Sequence, residues 1–588
     1  MKKKIIKRLG RRLAIVMATL SLGMLLIPGL VSGQDDEAEI ETAAPAVSGT
    51  AVAVEKEVPD EVAEEVAEVD EAGLWKRIFN GTADGLDWFL LTCGVLLLVA
   101  LVWIIISYVK GLSGSPRELY LMFFTKVTEF SAYGAANMAF VLYLNKDVGL
   151  SDMQAGSFIG AWSVSMTLLM MLVGAVCDAI GVKKTLLIGC YFLLVSRFFM
   201  PLTDNLWVAT FLGFVPLAFG MAITGPVLSV GIKMFTSREG AAMGFAMFYT
   251  LMNVGWAVGA WIFDFVRGIF GEGQVHALPL VGWDISSYQI IILVGFFLTI
   301  PDLIAICFMR DGVEVDDDGT VHIPEKKQKS GERFSFATVW GVTRKAAIDT
   351  WEKLSTVVKE NAFWVFILLV AILVFVRLVF YHFHYTFPTY GIRVFGEGAK
   401  VGSIWGVLNP VLIVFLVPFI GLVTKRVSSY WMLLVGTIVS GGAVFLALLP
   451  GAWFEPLMDT VIGELIFDRW LNVPVEDRMP FYLSLILFFV IFTIGEAIWS
   501  PRLTQFMAEV APKGREGSYI ALSYLPYFGA KFIAGPMSGW LLATYVPEGA
   551  DSYPNHYMVW VWIGLMASLT PAGLMLCYRI YKRSYEEA

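Results

Sequence analysis

Charge stands in this sequence where charge is most expensive. Glu496 interrupts the apolar run Phe481–Val510, Arg377 the run Asn361–Phe387, and Lys531 the run Ser518–Tyr545. An ionisable side chain within hydrocarbon is a functional candidate by default, because an idle one is strongly disfavoured. Glu496 could meet a cationic group or exchange a proton; its competing role is a buried partner for Lys531 or Arg377. Lys126 and Glu129, three residues apart within Leu119–Leu144, share one helix face. They read as titrating or charge-compensating groups, or as an ion pair that fixes packing. His382 and His384 follow Arg377 and could respond to pH; their place near the outer end of the span points to a solvated position. A last polar group, Asp178, Lys183 and Lys184, sits in the short link Gly174-Ala-Val-Cys-Asp-Ala-Ile-Gly-Val-Lys-Lys between two apolar spans. A carboxylate near a helix end there can pair with cations or helix N-termini in one state and release them in another.

Other chemistry is not encoded. The five cysteines form no CxxC, and the five histidines form no HExxH. No P-loop or nucleophile–base pair occurs. No metal or cofactor is expected, an enzyme is the least supported class, and a basic patch for nucleic acid is absent.

The elements that carry these residues are long and apolar. Of 588 residues, 57% are hydrophobic and 16% charged, and the mean hydropathy is +0.68. The net charge of -8 is misleading, since Asp35–Glu71 alone holds fourteen acids and one lysine. Thirteen apolar spans occur from Trp88 onward. A bilayer core of about 30 Å needs about 20 residues of helix, and only helices or closed barrels satisfy the backbone there. The expectation is an all-α integral membrane protein.

The chain divides accordingly. Residues 1–33 have a basic start, an apolar stretch and small residues at Val31-Ser32-Gly33, the pattern of a signal peptide, with an uncleaved anchor as the rival. Residues 34–86 read as an acidic, disordered spacer, and 87–110 as an extra span. Residues 119–309 hold six spans and 361–582 six more. Between them, 310–360 form a loop ending in an amphipathic helix, Phe336 to Val358. Lys and Arg concentrate in alternate loops, which places the middle loop inside and the acidic extension outside. The location expected is a bacterial inner membrane, with a periplasmic partner for the extension as one option.

Two sets of motifs carry a family resemblance. The Gly174–Lys184 link resembles the loop motif of the major facilitator superfamily. That resemblance implies two six-helix bundles, here with one extra N-terminal transmembrane helix, around a central site. Phe130-Ser-Ala-Tyr133-Gly134, Phe248-Tyr249-x-x-x-Asn253-x-Gly255, Trp405-x-x-x-Asn409-Pro410 and Gly495-Glu496-x-x-x-Ser500-Pro501 resemble, in order, motifs of the proton-dependent oligopeptide transporters. The resemblance implies that Glu496 binds a substrate amine, that Asn253 and Asn409 hydrogen-bond a peptide, and that Tyr133 lines the pocket. Substrate and protons are the partners it implies, and alternating access the mechanism. For Asn253 and Asn409 an interhelical hydrogen bond is the competing role; for Tyr133 it is packing.

The departures fall on the family's charged positions. Its first-helix pattern E-x-x-E-R stands here as Thr125-Lys126-Val127-Thr128-Glu129, and its fourth-helix Lys as Gly225. Its second-helix Tyr is Trp162. Peptide specificity and proton coupling must then rest on other groups, with Glu129 and Glu496 as the acids and Lys126 or Arg377 as the anion contact. An unrelated organic solute on the same fold, and a membrane sensor that transports nothing, are the alternatives. Gly156-x-x-x-Gly160, Gly255-x-x-x-Gly259 and Gly535-x-x-x-Gly539 read as sites of close helix approach.

Overall fold

The computed structural model describes residues 82–277, 284–323, 361–424, 426–510 and 525–579, with isolated positions at 80, 341, 344 and 348. The signal peptide, nearly all of the acidic spacer, all but three positions of the amphipathic stretch from Phe336 to Val358 and the segment Ala511-Pro512-Lys513 lie outside the described residues.

Nearly everything described is helix. The first helix, α1 (Gly85–Gly111), begins with a reciprocal cap between Asp84 and Asp87. The next six are α2 (Arg117–Lys146), α3 (Asp152–Ile180), α4 (Val182–Phe199), α5 (Leu206–Met234), α6 (Ala241–Phe270) and α7 (Ser287–Phe308). A second group follows: α8 (Asn361–Tyr385) and its short continuation α9 (Phe387–Phe395), α10 (Leu408–Val423), α11 (Ser429–Val444), α12 (Phe481–Val510), α13 (Leu525–Tyr545) and α14 (Met558–Leu576). Starts and stops follow local chemistry. Ser151 with Gln154, and Ser286 with Gln289, form capping boxes at α3 and α7. Gly181 stops α3 at φ 84° and lets α4 start at the next residue. Two short antiparallel strand pairs, Val275–Ala277 with Asp284–Ser286 and Glu314–Val315 with Val321–His322, lie in the connections.

Among the described residues, ten helices are long and apolar enough to cross a membrane. The helices α2, α3 and α13, of 30, 29 and 21 residues, fall outside that set. Helices α2 and α13 carry polar residues into the interior, Glu118, Lys126, Glu129 and Asn137 on α2 and Lys531 and Ser538 on α13.

The glycine repeats mark where helices touch. A Cβ on Gly259 would lie 2.5 Å from the Ser131 carbonyl oxygen, so α6 and α2 meet backbone to backbone within the first half. Gly156 and Gly160 of α3 meet Gly535 and Gly539 of α13 in the same way, and this contact joins the two halves; a Cβ on Gly535 would lie 2.4 Å from the Gly160 Cα.

The two ends of the molecule differ. At the end where α3 begins, Arg393 donates to Asp152 at 2.7 and 2.9 Å, to the Val546 carbonyl at 2.8 Å and to Glu548 at 3.3 Å. Lys146 adds a 2.5 Å contact to Glu548. Asp264 of α6 accepts from the Gly402 and Ser403 amides at 2.9 and 2.6 Å, at the π-helical turn Gly402–Val407 that leads into α10. The Arg393–Asp152, Lys146–Glu548 and Asp264–Gly402/Ser403 ties cross between halves, while the Val546 and Glu548 contacts of Arg393 stay within the second. At the other end, among the described residues, the ties stay within one half or the other, as where Arg502 donates to the Thr424 carbonyl at 3.4 Å. Arg310 donates to Glu118 at 2.7 and 2.8 Å, and Lys183 donates to the carbonyls of Cys307 and Met309 at 3.0 and 2.6 Å.

Helix α1 joins both halves. Arg469, in the connection before α12, binds Asp84 at 2.5 Å and Asp87 at 3.1 Å. At the far end of α1, Ile105, Tyr108 and Leu112 pack into the core of the first half, and Tyr120 donates to the Leu112 carbonyl at 2.9 Å. Between these anchors the helix presents Leu96, Leu98 and Trp103 outward.

Candidate functional site: a central cavity between the halves

Both halves line one cavity of about 760 Å³. The first half supplies Tyr133 and Asn137 from α2, Met166 and Met170 from α3, and Tyr249, Asn253 and Trp256 from α6. The second supplies Arg377, Tyr381 and His384 from α8, Asn409 from α10, Glu496 from α12, and Tyr527 and Lys531 from α13. Tyr133, Asn253 and Glu496 stand near the middle of long helices, whereas Asn409 follows directly on the π-helical turn Gly402–Val407.

Glu496 and Asn409 form the best-defined polar pair. Asn409 Nδ2 donates to a Glu496 carboxylate oxygen at 2.7 Å and to Thr493 Oγ1 at 2.9 Å. Glu496 is 6% exposed, and its partner is the amide, with neither Lys531 nor Arg377 in ion-pair contact among the described residues. Arg377 donates from Nη2 to the Tyr527 hydroxyl at 2.6 Å and lies 4.8 Å from the Trp499 ring. Lys531 donates to Thr167 Oγ1 at 3.0 Å, across to the first half. A second link between halves lies close by, where the Ser163 and Tyr385 hydroxyls stand 2.7 Å apart. Asn253 is turned back on its own helix and donates to the Tyr249 carbonyl at 2.9 Å. The Tyr133 ring packs edge-on against Trp256 at 5.6 Å.

Two expectations need correction. The histidines do not sit at a solvated helix end. His382 is fully buried, with Nδ1 2.8 Å from Thr386 Oγ1. His384 lines the cavity and stacks flat on Trp256, with ring centroids 5.0 Å apart. The short continuation α9 carries the chain onward beyond them, so they lie deeper than the end of the apolar run suggests. Lys126 and Glu129, in turn, do not form a hydrogen-bonded pair. Glu129 receives a two-pronged bond from Arg197 of α4 at 2.8 and 2.8 Å, and Lys126 rests 3.6 Å from the Phe130 ring centroid and 4.0 Å from that of Phe248. A guanidinium fits a carboxylate with two parallel bonds, whereas an ammonium three residues away on the same helix does not.

Arg197 and Asp302 escaped the reading of the sequence. Arg197 also donates to Thr299 Oγ1 at 2.5 Å. Asp302 of α7 is buried and accepts from Thr128 through one oxygen, while its other oxygen has no partner. This group sits inside the first half, away from the cavity lining. The signal was present, since both residues interrupt apolar runs just as Glu496 does.

Of the loop residues, Lys183 holds the end of α7 through the two carbonyl bonds described above, cation to helix C-terminus. Lys184 is exposed. Asp178 lies within α3, and its side chain falls outside the described set.

Comparison with known proteins agrees with this architecture. Dipeptide and tripeptide permease B of Salmonella typhimurium is 27% identical over 175 residues, 29% of this chain and 35% of the permease, so the chain spans about a third of that relative's length. A crystal structure of a POT family transporter in complex with a thioalcohol-conjugated peptide shares the fold with a TM-score of 0.54 at 16% identity, over 80% of this chain and 99% of that one. A peptide transporter POT in complex with sulfate aligns with a TM-score of 0.55 at 14% identity, over 80% and 96%. A POT family transporter in complex with 5-aminolevulinic acid aligns with a TM-score of 0.54 at 16% identity, over 79% and 97%. The family profile described as Major Facilitator Superfamily matches residues 122–534, the stretch that contains both halves of the cavity, and this chain belongs to that superfamily.

Proposed function

We propose that this protein is a secondary active transporter that moves peptides, or a related small solute bearing an amine and a carboxylate, by alternating access and with protons as the driving ion. The observation that carries the reading is the central cavity with the Glu496–Asn409 pair on its wall. Its fold-mates include transporters crystallised with a peptide conjugate and with 5-aminolevulinic acid.

In this reading Glu496 meets the substrate amine, Asn409 and Asn253 bond the peptide backbone, and Tyr133 shapes the wall. Arg377, which lines the cavity, receives the anionic end, with Lys126, outside that lining, as the other candidate. Glu129 and Glu496 are the acids that titrate or compensate charge; the Glu129–Arg197 contact supports compensation for Glu129. The asymmetry between the ends supports a gate that is shut where Arg393 bridges the halves. Asp178, Lys183 and Lys184 belong to the gate at the opposite end. The setting is a bacterial inner membrane with the acidic extension outside the cytoplasm, where a partner could meet it.

Uptake of a labelled dipeptide into proteoliposomes, with and without an inward proton gradient, tests the proposal. Gradient-dependent uptake that Glu496→Gln abolishes is the expected result. Absence of uptake under both conditions, in protein that elutes as a single folded species, would overturn the peptide assignment.

A further inference from the structure

Lys531 is 9% exposed and lines the cavity. Its ammonium carries three donors, and one goes to Thr167 Oγ1 at 3.0 Å. Thr167 passes its own proton to the Ser163 carbonyl at 2.9 Å, so this partner is a neutral hydroxyl already committed elsewhere. Among the described residues no carboxylate lies within ion-pair distance of Lys531. A buried ammonium without a counter-ion is strongly disfavoured, and the arrangement is completed when an anion arrives.

A second cation stands beside it. Arg377 and Tyr381 are one turn apart on α8, and Tyr527 and Lys531 are one turn apart on α13. The contacts cross: Arg377 bonds the Tyr527 hydroxyl at 2.6 Å, and the Lys531 ammonium lies 5.6 Å from the Tyr381 ring centroid. The two cations and two tyrosines therefore form one patch, and Arg377 Nε in it has no partner. Against these two cations the cavity lining sets one carboxylate, Glu496, which Asn409 already bonds. The imbalance is one positive charge. Four methionines of the first half, Met166, Met170, Met221 and Met252, also line the cavity. Thioethers adapt to apolar groups of varied shape.

We propose that the cavity selects solutes of net negative charge, with a carboxylate seated on Lys531 beside Arg377 and an apolar body against the methionine wall, and that a free amine is not required for binding. The inference rests on the transport reading and narrows it: the carboxylate becomes the required group, Lys531 joins Arg377 in receiving it, and the contact of an amine with Glu496 is made only by solutes that carry one. An amine-blocked peptide supplies the missing anion without adding a third cation, which a zwitterion does.

Equilibrium binding to the purified full-length chain in detergent tests this with three ligands of one shape: Ala-Phe, N-acetyl-Ala-Phe and Ala-Phe-amide. The N-acetyl acid is expected to bind at least as tightly as Ala-Phe, and the amide at least about tenfold more weakly. Lys531→Gln should weaken both acids by about tenfold and remove their advantage over the amide, while Lys531→Arg retains it. Equal binding of amide and acids, or binding of Ala-Phe with none of the N-acetyl acid, overturns the proposal. If none of the three binds to folded protein, the peptide reading fails by itself, and 1-naphthylacetic acid against its amide then decides the charge rule. Acid-selective binding that Lys531→Gln weakens upholds it, and equal or absent binding of both overturns it. Should the Gln variant not fold, Lys531→Arg and the wild-type ligand series carry the decision.

Discussion

The two halves of this molecule handle buried charge in opposite ways. The first half turns its charges inward, with Glu129, Arg197 and Asp302 bonded among α2, α4 and α7 behind the cavity wall. The second half presents Arg377, Lys531 and Glu496 to the cavity itself. The same resource, an ionised side chain in an apolar span, thus serves cohesion in one half and, in the reading proposed above, recognition in the other. Partners tell the two apart. A carboxylate clamped by a guanidinium is satisfied, whereas an ammonium with only a hydroxyl is waiting.

The sharpest way to break this comparison is Arg197→Gln. It leaves Glu129 facing an uncharged amide and removes the cation nearest Asp302, and breaking a buried pair costs about 3–5 kcal/mol. A large drop in the unfolding temperature in detergent is expected, partly restored by adding Glu129→Gln. If Arg197→Gln unfolds like the parent, the first half is not held by its charges. Glu496→Gln should do the reverse. It keeps an amide that can accept from Asn409, so stability should stay close to the parent while uptake falls at least about tenfold, near 1.4 kcal/mol. A fall in stability matching that of Arg197→Gln would erase the distinction between halves.

Packing between the halves gives a smaller effect. Gly535→Ala puts a methyl 2.4 Å from the Gly160 Cα, and overpacking of this kind costs about 1–3 kcal/mol. Thermal unfolding reports the cost, and the equivalent change at Gly421, which meets nothing within 4 Å, should be nearly silent. The smallest effect is expected at His556, in the turn before α14, where Nδ1 lies 2.7 Å from the Tyr390 hydroxyl and the Phe481 ring packs edge-on. Burial holds this imidazole below its ordinary pKa. The folded state therefore takes up a proton less readily than the unfolded chain, and stability is lost as pH falls below about 6.5. Unfolding temperatures across pH 5 to 8 should show a small acid-side loss that His556→Gln flattens.

Much of the fold could be read from residue order, because a bilayer permits so few backbone solutions. Among the described residues, the runs from Leu119 to Met309 and from Asn361 to Val510 are helices close to their expected limits, while the start of the run Ser518–Tyr545 lies outside the described residues. Glu496, Arg377 and Lys531 were found by their cost in hydrocarbon, and all three line the cavity. What the chain order did not disclose is rotation about each helix axis. Spacing put Lys126 beside Glu129 along α2, yet the carboxylate turns to Arg197, which lies 68 residues away. The same blindness misplaced His384, whose flat stacking on Trp256 depends on a neighbour from the other half. Asp302 and Arg197 carried the same signal as Glu496, and only their partners mark them as interior rather than cavity residues.

Helix α1 gains meaning from where it is fastened. Its start is bound by Arg469 of the second half, and its finish is packed into the core of the first. A rigid rod pinned to two bodies must swing when one body turns against the other. In the transport reading proposed above, the angle of α1 becomes a lever that translates motion around the cavity into motion along the membrane plane, and whatever is attached to its leading end would feel that motion without touching the solute.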